Sequence, residues 1–83
     1  MKVMCIGSSL INLTNFVSID GRTCNDGVIL TIEYDHNVKE YLVPSKIDPE
    51  SVICVILDCL NKFTSFDLLY TLKARRAMID YDD

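Results

Sequence analysis

The sequence predicts an α+β fold in which an antiparallel β-meander of three to four strands packs against a C-terminal pair of helices. Three observations predict it. Apolar and polar residues alternate from Ile11 to Ile19, residues 28–34 are rich in β-branched side chains, and an amphipathic stretch with a helix cap begins at Asp48. Because 83 residues have room for one core only, we expect residues 1–83 to form a single domain.

Four segments are predicted strands: 2–6, 10–19, 28–35 and 38–43. In the second, Asn15 and Phe16 interrupt a period of two and indicate a bulge or slip. Residues 20–27, DGRTCNDG, have the composition of a loop. The last two strands are predicted to form a hairpin through Asp35-His36-Asn37, since asparagine tolerates a positive φ. Pro44 ends the sheet because it has no N–H to donate.

The first predicted helix spans residues 49–62. Asp48 is its cap, Pro49 suits the first helical position, and Glu50 lies near the positive end of the helix dipole. A strand is the alternative, because residues 52–57 have high β propensity, but the cap, the length and the amphipathic pattern favour a helix. Its predicted inner face is apolar and comprises Val52, Ile53, Ile56, Leu60 and Phe63.

The second predicted helix spans residues 65–79 and follows a turn of one or two residues. Thr64 or Ser65 is its predicted cap, with Asp67 at the capping-box distance from Thr64. The two helices would then form an αα-hairpin. The predicted apolar stripe of the second helix comprises Phe66, Leu69, Leu72 and Ile79.

The four cysteines include no C-x-x-C pair, so the sequence predicts neither a metal site nor a cofactor site. Cys54 and Cys59 point in different directions on a helix, which predicts packing roles, with Cys59 bordering the core and Cys54 outside. Cys24, in the predicted loop, is the cysteine we expect to be exposed. The case for catalysis rests on Cys24 and on His36, the single histidine. We predict that the protein is not an enzyme.

Hydrophobic residues make up 49% of the chain, and the mean hydropathy is +0.22. A chain of this length buries only about 60–65% of the surface that its unfolded form exposes. Some apolar side chains must therefore stay on the surface of the folded protein. A contiguous patch of such side chains marks a site for a binding partner. The alternative is an unusually apolar core in a monomer.

The net charge is −4, and only Lys73, Arg75 and Arg76 cluster among the basic residues. Nucleic-acid binding is therefore disfavoured, because a phosphate backbone attracts grouped cations. No apolar run approaches the length of a membrane span, and polar residues interrupt the N-terminal apolar segment where a signal peptide would be continuous. We expect a cytoplasmic protein that does not enter a membrane.

The sequence thus favours a non-enzymatic protein–protein interaction module, with an apolar patch and an acidic rim that bind another protein or a second copy, as a homodimer. Compact acidic chains of this kind are often inhibitors encoded by phages or other mobile elements, which bind a host protein. A small nucleic-acid-binding regulator that uses the basic end of the last helix is the alternative. The candidate partner-binding residues are charged or aromatic: Asp35, Tyr41, Lys73, Arg75, Arg76 and Tyr81.

Overall fold

The structure, a computed structural model, describes residues 1–79, with side chains to residue 75. Its strands are β1 (Val3–Ile6), β2 (Ser9–Asn12), β3 (Ser18–Cys24), β4 (Gly27–Glu33), β5 (Val38–Val43) and β6 (Ser65–Asp67). Its helices are α1 (Pro49–Lys62) and α2 (Leu68–Ile79). The fold is α+β, as predicted.

The strands form two three-stranded sheets rather than one meander. The mixed sheet has the order β2-β1-β6, with β1 antiparallel to β2 and parallel to β6. The meander sheet has the order β3-β4-β5 and is antiparallel throughout. The predicted meander is therefore confirmed for its last strands and wrong for the first, which belong to another sheet.

The predicted strand 10–19 is broken between the two sheets. The Asn12 side chain accepts a hydrogen bond from the Thr14 amide, 2.8 Å away, and this local bond turns the chain out of β2. The alternation continues across the break, which explains why the pattern resembles one strand. The predicted loop 20–27 is also wrong, because β3 runs to Cys24 and only Asn25-Asp26 connect it to β4.

The hairpin of β4 and β5 and the helix α1 agree with the prediction. In α1, Asp48 has extended backbone angles and its side chain accepts from the Ser51 amide at 3.1 Å. The last helical bond runs from the Phe63 amide to the Cys59 carbonyl, after which the chain is extended. Lys2 adds a cation at this end, because its Nζ donates to the carbonyl oxygens of Leu60 and Phe63.

The predicted αα-hairpin is wrong, because β6 lies between the two helices. Residues 65–67 pair with β1, and the Val3 amide donates to the Thr64 carbonyl at 3.0 Å. The helix then begins at Leu68, and Asp67 itself is the cap, since its carboxylate accepts from the Tyr70 amide at 3.0 Å. The sequence did not predict β6 because this strand has only three residues and so leaves no local pattern. It forms through parallel pairing with the N-terminal strand β1.

One apolar core joins both sheets and both helices. Every strand and helix except β3 contributes at least one buried side chain to this core. The buried residues are Met4, Ile6, Ile11, Leu13, Val28, Leu30, Ile32, Val43, Val52, Ile56, Cys59, Phe66, Leu68 and Leu72. Cys59 is completely buried rather than at the border, while Phe63, predicted to face inward, is 51% exposed. Cys54 is exposed, as predicted.

Candidate functional site

A groove lies between the edges of the two sheets. Its cavity volume is about 460 Å³, and we call it the edge groove. It is lined by β2, by the turn between β4 and β5, and by β5 itself, through Leu10, Ile11, Asn12, Asn15, Tyr34, Asp35, His36, Asn37, Lys39 and Tyr41. The edge groove therefore contains two of the predicted partner-binding residues, Asp35 and Tyr41.

Strand alternation determines which side chains line this groove. On β5, Lys39 lies opposite Ile32 and Tyr41 lies opposite Leu30, so both are on the face that carries the core residues of β4. β5 is at the edge of its sheet, where Tyr41 packs partly against the core and Lys39 is exposed. A lysine at such a position also discourages uncontrolled pairing with other strands, since its charge would be buried.

Tyr34 connects the two sheets at the groove. Its hydroxyl donates to the Asn12 carbonyl oxygen at 2.7 Å. Burial raises the pKa of this phenol, and the neighbouring Tyr41 raises it further. Tyr34 is therefore protonated at neutral pH and remains a donor.

One exposed apolar side chain, Leu10, lines the edge groove, and two others, Val17 and Val38, lie near Glu33. Leu10 is 76% exposed, because it lies on the face of β2 that points away from the core residue Ile11. Val17 and Val38 are 58% and 57% exposed. Both lie next to Glu33, since the Val17 amide donates to the Glu33 carbonyl and Val38 pairs with Glu33 in the sheet. This end of the molecule combines apolar contact area with nearby charge.

The predicted basic residues lie elsewhere, on α2. Lys73 borders a furrow of about 290 Å³ between α2 and the segment after β5, beside the apolar residues Pro44, Ile47, Leu69 and Leu72. An adjoining furrow of about 520 Å³ shares Ile47 and Leu72 and extends to Arg75. The side chain of Arg76 and the whole of Tyr81 lie outside the described residues.

Arg75 is engaged within the protein. Its guanidinium donates to the carboxylate of Asp58 on α1, which also pairs with Lys62 at 3.3 Å. Arg75 and, secondarily, Lys62 lower the pKa of Asp58, and Asp58 in turn raises the pKa of Arg75. This ion pair connects α1 to α2 and uses part of the positive charge of the predicted cluster.

Cys24 and His36 do not meet. They lie beyond opposite ends of β4, whose seven residues span roughly 20 Å at about 3.3 Å per residue. All four cysteines are free. Among residues 1–79 no three His, Cys, Asp or Glu side chains are placed to hold a metal ion together, and no helix in that range is long and apolar enough to cross a membrane.

No family model, curated protein or solved structure matches this chain. Of the residues at the edge groove, sequence reasoning singled out Asp35 and Tyr41 and missed Leu10 and Tyr34. Leu10 had a detectable signal, because it is an apolar residue next to Ile11 and so must face the polar side of the alternation. Tyr34 had none, since its role depends on a contact 22 residues away.

Proposed function

We propose that this protein is a non-enzymatic protein–protein interaction module that binds its partner in the edge groove. The observation that carries the proposal is Leu10, an aliphatic side chain 76% exposed at the border of a groove that also contains Tyr34 and Tyr41. Tyrosines are enriched in binding sites because they contribute apolar area and a polar hydroxyl at a low entropic cost.

The occupant that fits this groove is an extended segment of another protein. The Asn12 carbonyl points away from β1, since it accepts the Tyr34 hydroxyl. Backbone groups in a strand alternate in direction, so those of Leu10, two residues earlier, point the same way. The edge of β2 thus offers an N–H and a C=O beside an exposed leucine, the combination that β-strand addition uses.

Charges around the groove would select the partner. Asp35 and Lys39 both line it, so its rim is mixed rather than purely acidic. We expect the partner segment to carry an apolar side chain for Leu10 and Tyr41 and charged residues on either side of it. The small size and the net charge of −4 suit an inhibitor of a host protein encoded by a phage or other mobile element and acting in the cytoplasm, and we include this role in the proposal.

The test is a binding measurement with matched variants. A partner captured from source-cell extract would be purified and titrated by calorimetry against the wild type and against Leu10→Ser and Tyr41→Ala. We expect each variant to weaken binding at least about tenfold, the equivalent of about 1.4 kcal/mol. The controls are Leu57→Ser and Tyr70→Ala, which remove exposed side chains of the same types from the helices. Equal loss in variants and controls, or no loss in any, would contradict the proposal.

The nucleic-acid alternative predicts a different result. It would require Lys73, Arg75 and Arg76 to contact phosphates, and it is weakened by the pairing of Arg75 with Asp58. Retention of DNA or RNA by the wild type at low salt, reduced when Arg75 and Arg76 are both replaced by alanine, would support it in place of the edge groove.

A further inference from the structure

Among residues 1–79, the backbone groups on the outer edge of β3 have no strand partner. The Glu33 carbonyl accepts from the Val17 amide, so the backbone N–H and C=O of Glu33 point towards β3. Backbone groups alternate in direction along a strand, so those of Ile29 and Thr31 point towards β3 as well. Their partners on β3 are Arg22 and Asp20. Ile19, Gly21 and Thr23 alternate with Asp20 and Arg22 along β3. Their N–H and C=O groups must therefore point away from β4, to the outer edge of the sheet.

We infer that a second copy of this chain pairs with this edge, antiparallel and about a two-fold axis at Gly21. The backbone groups of Ile19, Gly21 and Thr23 then meet those of Thr23, Gly21 and Ile19 in the other copy. The meander sheets of the two copies, three strands each, become one six-stranded sheet. This edge is on the opposite side of the meander sheet from β5 and the edge groove, so the inference does not depend on the proposed function.

Charge complementarity identifies the occupant as a second copy. In this register each Asp20 lies opposite the Arg22 of the other copy, twice per dimer. These positions are the non-hydrogen-bonded pairs, in which Cα atoms are only about 4.5 Å apart and side chains interact most closely. Asp20 and Arg22 are both exposed. Arg22 has one partner already, Glu40 at 3.2 Å, but a guanidinium has five N–H donors and can bind a second carboxylate.

The other long edge lacks this complementarity. A symmetric pairing of β5 centred on Lys39 or on Glu40 would place like charges opposite each other, which destabilises a sheet, and one centred on Tyr41 would place Glu40 opposite the apolar Leu42. On one face of the sheet α1 covers Gly21, since an added Cβ there would lie 3.0 Å from Pro49 and 3.5 Å from Ile53, both half-buried. By strand alternation Asp20 and Arg22 lie on the opposite face.

Sedimentation velocity over a concentration series at low salt tests the inference. We expect reversible dimerisation of the wild type and at least about tenfold weaker dimerisation of Arg22→Asp and of Asp20→Arg. The double variant with both changes again places opposite charges across the axis and should restore the dimer. Glu40→Gln, which removes the charge of the internal partner of Arg22, should dimerise like the wild type.

A covalent test follows from the same register. Ser18 lies opposite Cys24 of the other copy, again in a closely spaced pair within the Cα range of disulfides. Ser18→Cys under mild oxidation, in which two thiols lose two electrons and two protons to the added oxidant, should give a dimer linked between residues 18 and 24, identified by peptide mass. Ser65→Cys, on an edge of the mixed sheet, is the control. A wild type that stays monomeric, or a dimer that the charge variants do not weaken, would overturn the inference.

Discussion

Gly27 illustrates how a single residue determines the connection between β3 and β4. Its φ is +143°, and an added Cβ would lie 2.2 Å from the Val43 carbonyl oxygen. We expect Gly27→Ala to destabilise the fold by more than about 2 kcal/mol, because both the backbone conformation and the contact exclude a side chain. The free energy of unfolding in urea, followed by circular dichroism, measures this loss.

Gly7 provides the control for this prediction. Its φ is +60°, but a Cβ there would meet nothing within 4 Å. Gly7→Ala should therefore cost only about 1 kcal/mol, the penalty for the left-handed conformation alone. Equal losses in the two variants would show that the contact with Val43 is not what requires glycine at residue 27.

The cysteines of α1 provide a second residue-scale prediction. Cys59 is completely buried and Cys54 is exposed. Cys59→Ser should cost about 1–3 kcal/mol, since it places a hydroxyl in the core, whereas Cys54→Ser should be nearly silent. Ile56→Ala, at another completely buried position, should cost about 2–5 kcal/mol.

Chelators and reductants complete the same test. EDTA or dithiothreitol should change neither the circular dichroism spectrum nor the urea midpoint, because all four cysteines are free and no metal-holding cluster occurs among the described residues. Unfolding by either reagent, or by Cys54→Ser, would show that a metal or a bridge supports the fold.

At the scale of the elements, the start of α2 distinguishes the structure from the sequence-based prediction. Asp67 caps the helix through the Tyr70 amide, while Thr64, the predicted cap, contributes its carbonyl to the pairing with Val3. Asp67→Ala should therefore cost about 1 kcal/mol in the free energy of unfolding. Thr64→Ala should change it by less than about 0.5 kcal/mol. A larger loss in Thr64→Ala than in Asp67→Ala would show that Thr64 is the cap, as the sequence predicted.

This difference also shows what the sequence could predict. Asp48-Pro49 and the turn residues 35–37 are local signals, so α1 and the β4–β5 hairpin were predicted nearly to the residue. The positive φ expected at Asn37 is wrong, because no non-glycine residue in the described part of the chain has one. Pairing between β1 and β6 joins residues about 60 apart, and no local pattern encodes it. The edge groove was predicted only through Asp35 and Tyr41, because its shape depends on how two sheets meet.

The ion pair between the helices predicts a pH dependence. The pKa of Asp58 is lowered, first by Arg75 and then by Lys62. A lowered pKa in the folded state means that the stabilisation is complete above the unfolded value, near about 4, and is lost as pH falls through the folded value. Asp58→Asn should thus lower the melting temperature at pH 7, and its difference from the wild type should shrink towards pH 2. Asp35→Asn is the control.

At the scale of the whole molecule, two three-stranded sheets behave as one body only if they are held together. Side chains of the common core provide most of this connection, and the hydrogen bond from Tyr34 to the Asn12 carbonyl adds a polar link at the edge groove. This bond joins the end of β2 to the turn between β4 and β5, two of the segments that line the edge groove. It therefore contributes to the shape of that groove.

Tyr34→Phe removes this link alone. We expect it to lower the free energy of unfolding by up to about 1 kcal/mol at pH 7, while Tyr70→Phe, on the exposed face of α2, has no effect. The pKa of Tyr34 is raised, so the stabilisation is complete below the unfolded value of about 10 and is lost as pH rises through the folded value. The difference between the wild type and Tyr34→Phe should consequently disappear in strongly alkaline solution. A difference that persists there would contradict donation by the Tyr34 hydroxyl as the source of the stabilisation, since the ring is the same in both proteins.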